Sequence, residues 1–171
     1  MPDPRPVLLA PDSFKGTFRA TEVVAALGRG LEAAGWAVDP CPVADGGEGT
    51  LEVLLTALGG ETAGASVSDP LGRTVAAGFG LVEDGGTAVV EAAAAAGLGL
   101  VDEAERDPVA ASTAGMGELI AAAVEAGAQV VALGVGGTAT TDGGAGAVRA
   151  LEAAGGLRGA RLVVLCDVRT A

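Results

Sequence analysis

Short apolar runs alternate along this chain with segments in which apolar residues recur at helical spacing. The first run, residues 7–10, is bounded by Pro6 and Pro11 and predicts a buried strand. Apolar residues between positions 23 and 31 then follow helical spacing, and Gly35 supplies a helix stop. The chain therefore opens on a strand–loop–helix unit.

The same order of elements repeats at once. Residues 37–43 predict a second strand, which its two prolines confine to a sheet edge. A loop follows, and residues 50–58 predict a second helix. Two strand–loop–helix units in succession indicate an α/β fold with a parallel sheet. We assign residues 1–60 to a first, Rossmann-like α/β domain, of which they form the N-terminal part.

The pattern changes after the glycine pair at positions 59 and 60. Residues 65–68, 74–81 and 87–90 predict short strands, separated by strong turn signals at 69–72 and 83–86. Such a meander favours antiparallel pairing. We place a domain boundary near residue 60 and assign residues 61–171 to a second, incomplete α/β domain that contains this meander.

Helix–strand alternation returns in the remainder of the second domain. A short helix explains the alanine run at 92–96. Further helices are predicted over about 117–126 and 144–154, with strands at 129–133 and 161–168; these two strands and the helix between them repeat the strand–loop–helix order.

The composition excludes several classes of function. A net charge of −12 argues against nucleic acid and anionic membranes, which require clustered positive charge. The chain has no histidine, which removes imidazole bases and His-ligated zinc. Its two cysteines lack CxxC spacing, no signal peptide is recognisable, and no stretch is long and apolar enough to span a bilayer. We expect a soluble, cytoplasmic protein.

The loop after the first predicted strand carries Asp12, Ser13 and Lys15. Lys15 is the single lysine among ten basic residues. Its ammonium is a compact charge that can reach phosphate oxygens, although a solvated surface lysine is the plainer alternative. We favour a functional role for Lys15.

The loop after the second predicted strand places Asp45 and Glu48 in a glycine-rich frame with Gly46 and Gly47. Such a frame can hold Mg²⁺ or orient a hydroxyl group. Acidic residues near a helix start also complement the helix dipole without any ligand. This loop alone leaves both interpretations open.

A third loop, residues 134–144, surrounds one carboxylate with glycines and threonines. It lacks the GK[ST] of a Walker A loop and the frame of a dinucleotide-binding fingerprint. Its amides and hydroxyls suit an anion, and its carboxylate is the candidate general base. An N-cap on the following helix is the alternative role for that carboxylate. The candidate residues are Gly136, Gly137, Thr138, Thr140 and Asp142.

Two further side chains lie beside predicted turns or strand ends. Arg73 follows the turn at 69–72 and could bind a carboxylate bidentately, although a surface arginine is the commoner outcome. Glu91 closes an apolar strand, where a carboxylate often faces a site; an ordinary edge position is the alternative.

Five strings of this sequence, taken in order, resemble the motifs of the bacterial glycerate kinase family. The wider similarity spans residues 7–168. The strings are APDSFKGT at 10–17, PVADGGEGT at 42–50, DPLGR at 69–73, GELI at 117–120 and GGTATTDGGAG at 136–146. Thr141 departs from the Asn that the family usually carries before the loop aspartate.

The resemblance implies ATP-dependent phosphorylation of D-glycerate, a Mg²⁺ requirement, and two α/β domains with a cleft lined by the three loops. It also implies that this chain corresponds to the N-terminal portion of a family member. Two alternatives stay open, a truncated or non-catalytic anion- or nucleotide-binding module of the same fold and an unrelated nucleotide-binding domain. A homodimer is a possible assembly.

Overall fold

The computed structural model describes residues 5–167 and divides into two compact units, one up to Asp45 and one from Gly46. We expected a boundary near residue 60. The difference arises because the helix α2, Thr50–Leu58, packs on strands of the second unit and buries Val53 there. The α2 helix therefore belongs to the second unit, although it follows a strand of the first.

The first unit contains two strands and one helix. The strands β1, Val7–Leu9, and β2, Val38–Pro40, pair in parallel, and the helix α1, Ala20–Ala33, joins them. Helix α1 turns Val24 and Gly28 inward, and a Cβ atom on Gly28 would lie in ordinary contact with Leu9, 3.7 Å from its Cδ1. These elements confirm the predicted strand–loop–helix unit.

The second unit is built on a five-stranded sheet whose strands lie in chain order, β3 to β7. The first three strands are antiparallel neighbours, as the meander predicted, and β5, β6 and β7 are parallel. The predicted final strand was longer: β7 ends at Leu165, and Val168 lies outside the described residues. The strand bounds are Glu61–Ser68, Thr74–Val82, Thr87–Glu91, Val130–Gly134 and Arg161–Leu165.

Three helices besides α2 accompany this sheet: α3, Ala93–Ala96, α4, Ala114–Glu125, and α5, Ala145–Ala153. The core lies under α4, where Leu119 and Ile120 pack with sheet residues such as Phe79. Burying a side chain of this size stabilises a fold by about 1.5–3 kcal/mol. Helix α4 thus contributes buried side chains to the main hydrophobic core of the second unit.

Two glycines let α4 approach its neighbours at backbone distance. A Cβ atom at Gly115 would collide with the carbonyl oxygen of Ser68 in β3. One at Gly117 would collide with the carbonyl oxygen of Ala147 in α5. These two glycines therefore allow α4 to pack closely against β3 and α5.

Sheet topology brings the loops of the second unit to one edge. Strand β3 is separated from β5 by two antiparallel steps, so it runs in the same direction as β5, β6 and β7. The carboxyl ends of all four strands consequently lie at the same edge, which we call the carboxyl edge. It carries Ser68, Glu91, Gly134 and Leu165.

No helix within residues 5–167 is long and apolar enough to cross a membrane.

Candidate active site

In the first unit the structure brings Lys15 and Asp45 together. Pairing continues past the parallel strands, since the amide of Val43 donates to the carbonyl oxygen of Pro11 at 3.1 Å. The Lys15 Nζ atom lies 3.2 Å from Oδ2 of Asp45. The lysine side chain is 80% exposed and the aspartate side chain 28%, so this pair is open to solvent.

The remaining candidates of the first unit form a local turn. The Ser13 amide donates to Oδ1 of Asp12 at 2.6 Å, and both residues are half-buried. Phe14 and Phe18 exchange backbone hydrogen bonds of 2.9 and 3.1 Å directly after it. The Phe14–Phe18 backbone pair thus closes the turn that presents Lys15, and Asp12 and Ser13 directly precede it.

In the second unit the glycine-rich turn at 46–49 packs by its backbone against the ends of β6 and β7. A Cβ atom on Gly134 would collide with the carbonyl oxygen of Gly46, and one on Gly136 would lie 2.7 Å from the Gly47 Cα. The amide of Gly136 donates to the carbonyl oxygen of Gly46 at 3.3 Å. The second and third predicted loops therefore meet at the carboxyl edge, although the Gly136 amide is already used in joining them.

Helix α2 begins at this turn without a capping side chain of its own. Its N-cap is Gly49, at φ 97°, a conformation that favours glycine. Glu91, at the end of β5, supplies the missing acceptor: its Oε1 atom receives the amide of Leu51 at 2.8 Å. The amides of Gly49 and Thr50 also favour the charged form of this carboxylate. A residue 40 positions away thus caps α2.

The Glu91 carboxylate is unusual electrostatically. Burial, as the largest influence, raises its pKa, and the negative charge of Glu48 acts in the same direction. The three helix amides oppose this shift without cancelling it. A partly buried carboxylate with a raised pKa at a strand end is the kind of group that functional sites often contain.

The turn after β6 carries unused hydrogen-bond donors. Its ends are fixed, because Leu98 donates to the Gly137 carbonyl oxygen at 3.1 Å and Ala139 donates to that of Ala96 at 2.8 Å. In the part of the chain that the structure describes, neither the amides nor the hydroxyls of Thr138 and Thr140 donate a hydrogen bond to another residue. These donors suit an anion.

Asp142 lies where two helices begin. Its Oδ2 atom accepts from the amides of Thr113 and Gly146 at 2.9 and 3.0 Å, and Oδ1 accepts from Gly144 at 3.0 Å. The Thr113 hydroxyl donates to the same carboxylate at 2.9 Å and receives the Ala147 amide at 3.0 Å. One carboxylate thus ties the N-cap of α4 to the first turn of α5.

The surroundings of Asp142 keep it ionised. Burial, the largest single influence, raises its pKa, but the amides and hydroxyl of Thr113 with the amides of Gly144 and Gly146 together lower it below the ordinary value. A general base works best with a pKa near the operating pH. These contacts favour a capping role for Asp142 at the start of α5, where the N-cap residue itself is Gly144, while its role as base stays a prediction.

The guanidinium of Arg73 contacts acceptors from its own unit. Its Nε atom lies 2.6 Å from Oδ2 of Asp69, which is only 3% exposed, and its other nitrogens reach Glu105 and the carbonyl oxygen of Leu100. Burial, the largest single influence, raises the pKa of Asp69, but the hydrogen bonds from Arg73 and the Leu71 amide, together with the charge of Arg73, lower it below the ordinary value. Arg73 thus fixes the turn between β3 and β4, and its substrate-binding role stays a prediction.

Metal ligands were predicted at Asp45 and Glu48. Within residues 5–167 no group of three or more Cys, Asp or Glu side chains is placed to hold a metal ion. Mg²⁺ in phosphoryl-transfer sites is often held by one or two carboxylates together with substrate phosphates, and the metal role of Asp45 and Glu48 stays a prediction.

The second unit is an α/β layer. The starts of α2, α4 and α5 and two glycine-rich turns lie at its carboxyl edge. Ligands usually bind at this edge in such folds. Comparison with known proteins identifies the family within this α/β class. The profile of the Glycerate kinase family matches residues 7–168, and this chain belongs to that family. Membership excludes an unrelated nucleotide-binding domain.

Individual relatives agree with the family match. Glycerate kinase of Bacillus subtilis (strain 168) is 48% identical over 147 residues, covering 85% of this chain and 38% of the relative. Glycerate 2-kinase of Escherichia coli (strain K12) is 46% identical over 153 residues, covering 86% and 39%. This chain thus spans about two fifths of the length of these relatives.

A solved structure supports the fold. The crystal structure of a protein described as glycerate kinase 2 from Salmonella typhimurium LT2 matches with a TM-score of 0.75 and 42% identity. The match covers 87% of this chain and 40% of that one. The mixed α/β architecture predicted from the sequence is therefore confirmed.

Sequence reasoning missed the structural role of Glu91 and the contact of Glu118 with Ser68, whose amide and hydroxyl donate to the Glu118 carboxylate at 2.6 and 3.0 Å. One signal for Glu91 was available. The sequence before α2 offers glycine at the N-cap position, so an acceptor from elsewhere in the chain was required.

Proposed function

We propose that this chain forms part of a glycerate kinase that transfers a phosphoryl group from ATP to D-glycerate. The observation that carries the proposal is the turn with unpaired donors at Thr138 and Thr140, which follows β6 at the carboxyl edge in a chain of this family. Family membership supplies the reaction class, and the turn supplies a place for phosphate oxygens.

The proposed reaction balances simply. A hydroxyl oxygen of glycerate bonds to the γ-phosphorus of ATP, the bond from that phosphorus to the β–γ bridging oxygen breaks, and ADP leaves. The hydroxyl proton passes to a carboxylate. Because the transition state is loose, catalysis depends mainly on positioning and on neutralising phosphate charge.

Lys15 neutralises phosphate charge in this proposal. Its ammonium lies 3.2 Å from Asp45, and the lysine side chain is 80% exposed, so an incoming anion can reach it. Asp12 and Ser13 directly precede the turn that presents it, and the close backbone contacts of Gly46 and Gly47 with Gly134 and Gly136 shape the second unit's turns.

Asp45 and Glu48 are the proposed ligands of Mg²⁺ or of the substrate hydroxyl. When bound with nucleotide, the ion would neutralise negative charge on the phosphates. Asp45 also faces the Lys15 ammonium at 3.2 Å and is partly open to solvent. It is therefore a second candidate, beside Asp142, for accepting the hydroxyl proton.

For Asp142 we propose capping as the main role. Its two oxygens accept hydrogen bonds from three amides and one hydroxyl, which leaves little capacity for a substrate proton. Arg73 likewise contacts Asp69, Glu105 and Leu100, and we propose that it binds substrate carboxylate only by exchanging one of these partners.

The second candidate function is a binding module that retains the anion-binding turn without catalysing transfer. One observation favours it: the chain spans about two fifths of the relatives' length. Such a module would bind ATP or phosphate and leave glycerate unchanged.

A direct assay separates the two functions. The 171-residue chain and a chimera joining it to the unmatched part of the Bacillus subtilis relative are each incubated with ATP and D-glycerate. We expect phosphoglycerate and ADP in equal amounts from the chimera, and ³¹P NMR identifies which hydroxyl is phosphorylated. ATP binding without phosphoglycerate from either protein would support the binding module instead.

We also propose a cytoplasmic location and a homodimeric assembly as working expectations. The exposed thiols of Cys41 and Cys166 suit a reducing compartment. Fractionation of cells and light scattering of the purified protein test these two expectations.

A further inference from the structure

Glu91 is a partly buried carboxylate to which the proposed reaction assigns no part. It closes β5, the middle strand of the second unit's sheet, directly after the buried Val89 and Val90. A carboxylate in this position costs desolvation energy, which its contacts must offset. Within residues 5–167 the carboxylate accepts its hydrogen bonds from amides at the start of α2.

The turn at 46–49 is held from three directions. Gly46 accepts the Gly136 amide at 3.3 Å, and the Thr50 hydroxyl donates to the Gly47 carbonyl oxygen at 2.8 Å. Glu91 closes the other end by receiving the Leu51 amide at 2.8 Å. Of these three attachments, the Glu91 contact alone uses a charged side chain.

We propose that Glu91 is a positioning residue for the phosphoryl transfer: by capping α2 from β5, it fixes the 46–49 turn and so places Glu48 at the carboxyl edge. The inference rests on the proposed function, because Glu48 matters only if this turn serves the reaction. It assigns Glu91 no contact with substrate.

The geometry makes Glu91 replaceable only by a group of the same reach and charge. Glu91→Gln keeps an amide oxygen for the Leu51 N–H but removes the negative charge from the positive end of α2. Glu91→Ala removes both, and Glu91→Asp retracts the carboxylate by one methylene. The series therefore separates hydrogen bonding, charge and reach.

Kinetics of these variants in the active chimera test the inference. We expect kcat to fall about 10²-fold in Glu91→Ala, as for misplacement of a catalytic group by about an ångström, and less in Glu91→Gln. KM values for ATP and glycerate should stay within about 3-fold, because Glu91 touches neither. Glu125→Gln is the matched control; it removes an exposed carboxylate paired with Arg158 at the far end of α4.

Amide exchange in the 171-residue chain gives a readout independent of activity. The amides of Gly49, Thr50 and Leu51 should exchange about 10-fold faster in Glu91→Gln, with melting temperature close to wild type. If Glu91→Ala does not fold, the glutamine variant carries both measurements.

The outcomes are distinguishable. A wild-type chimera that makes no phosphoglycerate overturns the proposed function and, with it, a catalytic consequence of Glu91. An active wild type whose Glu91→Gln and Glu91→Ala variants keep kcat within 3-fold overturns this inference alone. A fall in kcat that is no larger than the fall in the fraction of folded protein also overturns it. Such a result would mean that Glu91 only stabilises the fold.

Discussion

The two units present their carboxylates in opposite ways. In the first unit Asp45 faces one lysine at a solvent-open position. In the second unit Asp142 and Glu91 accept backbone amides at helix starts. Asp142 and Glu91 even share a geometry, since each receives the second amide of a helix whose N-cap is a glycine. The comparison teaches that a carboxylate in a glycine-rich loop can be a cap as readily as a catalyst.

The difference follows from local sequence. A glycine N-cap has no side chain to accept the first helix amides, so the amides of α2 and α5 need an acceptor from outside the helix. Buried acceptors of this kind lose conformational freedom and capacity for substrate. In the first unit the Lys15–Asp45 pair is instead open to solvent.

The largest expected effect comes from removing the lysine. Lys15→Met in the active chimera should lower kcat/KM for ATP by about 10²-fold or more, because one preorganised cation opposite phosphate is lost. Unfolding should change little, since the Lys15–Asp45 pair is solvent-exposed. Steady-state kinetics and thermal melts measure the two effects.

The matched control is Arg29→Met, which removes a cation from α1 in the same unit. Its kcat/KM should stay within 2-fold of wild type. Equal losses in both variants would mean that overall charge, rather than the position of Lys15, is responsible.

An intermediate effect is expected at the threonine turn. Thr138→Ala and Thr140→Ala should each raise the KM or Kd for ATP about 3- to 10-fold, the range for one hydrogen bond to a charged group. Isothermal titration with ATP measures the change. Thr62→Ala, on an exposed position of β3, serves as the control. Unchanged ATP affinity in both turn variants would remove this turn from the phosphate site.

The smallest change tests backbone packing between the two glycine-rich turns. Gly134→Ala should lower the free energy of unfolding by about 1–3 kcal/mol, because its Cβ would collide with the carbonyl oxygen of Gly46. Gly30→Ala, at an open position of α1, should raise it by about 0.5–1 kcal/mol. Denaturant titrations compare the two; equal effects would contradict the packing role of Gly134.

The sequence predicted much of this molecule because short strands and turns have local signals. The meander of β3, β4 and β5 was predicted within a few residues, since the turns at 69–72 and 83–86 are strong. The position of the boundary was not, because α2 packs on strands that follow it in the chain. Local patterns do not show which sheet a helix will cover.

In the candidate site, too, local features could be predicted from the sequence and long-range contacts could not. The residues of each loop could be predicted from the sequence. The contact of Gly46 with Gly134 and Gly136 could not, because β2, which precedes Gly46, belongs to a different sheet from β6. The partners of Asp142 and Glu91 were not readable. Those contacts join residues 29 and 40 positions apart, and only the folded sheet brings them together.

The central claim is that the second unit's carboxylates hold helix starts, and Asp142→Asn tests it most directly. The free energy of unfolding and the turnover per folded molecule are measured on the same chimera. We expect unfolding to become easier by about 1–3 kcal/mol, since an Asn NH₂ group would face amide donors, while turnover falls less than about 10-fold. Unchanged unfolding with phosphorylation abolished and ATP affinity retained would contradict the claim and establish Asp142 as the base.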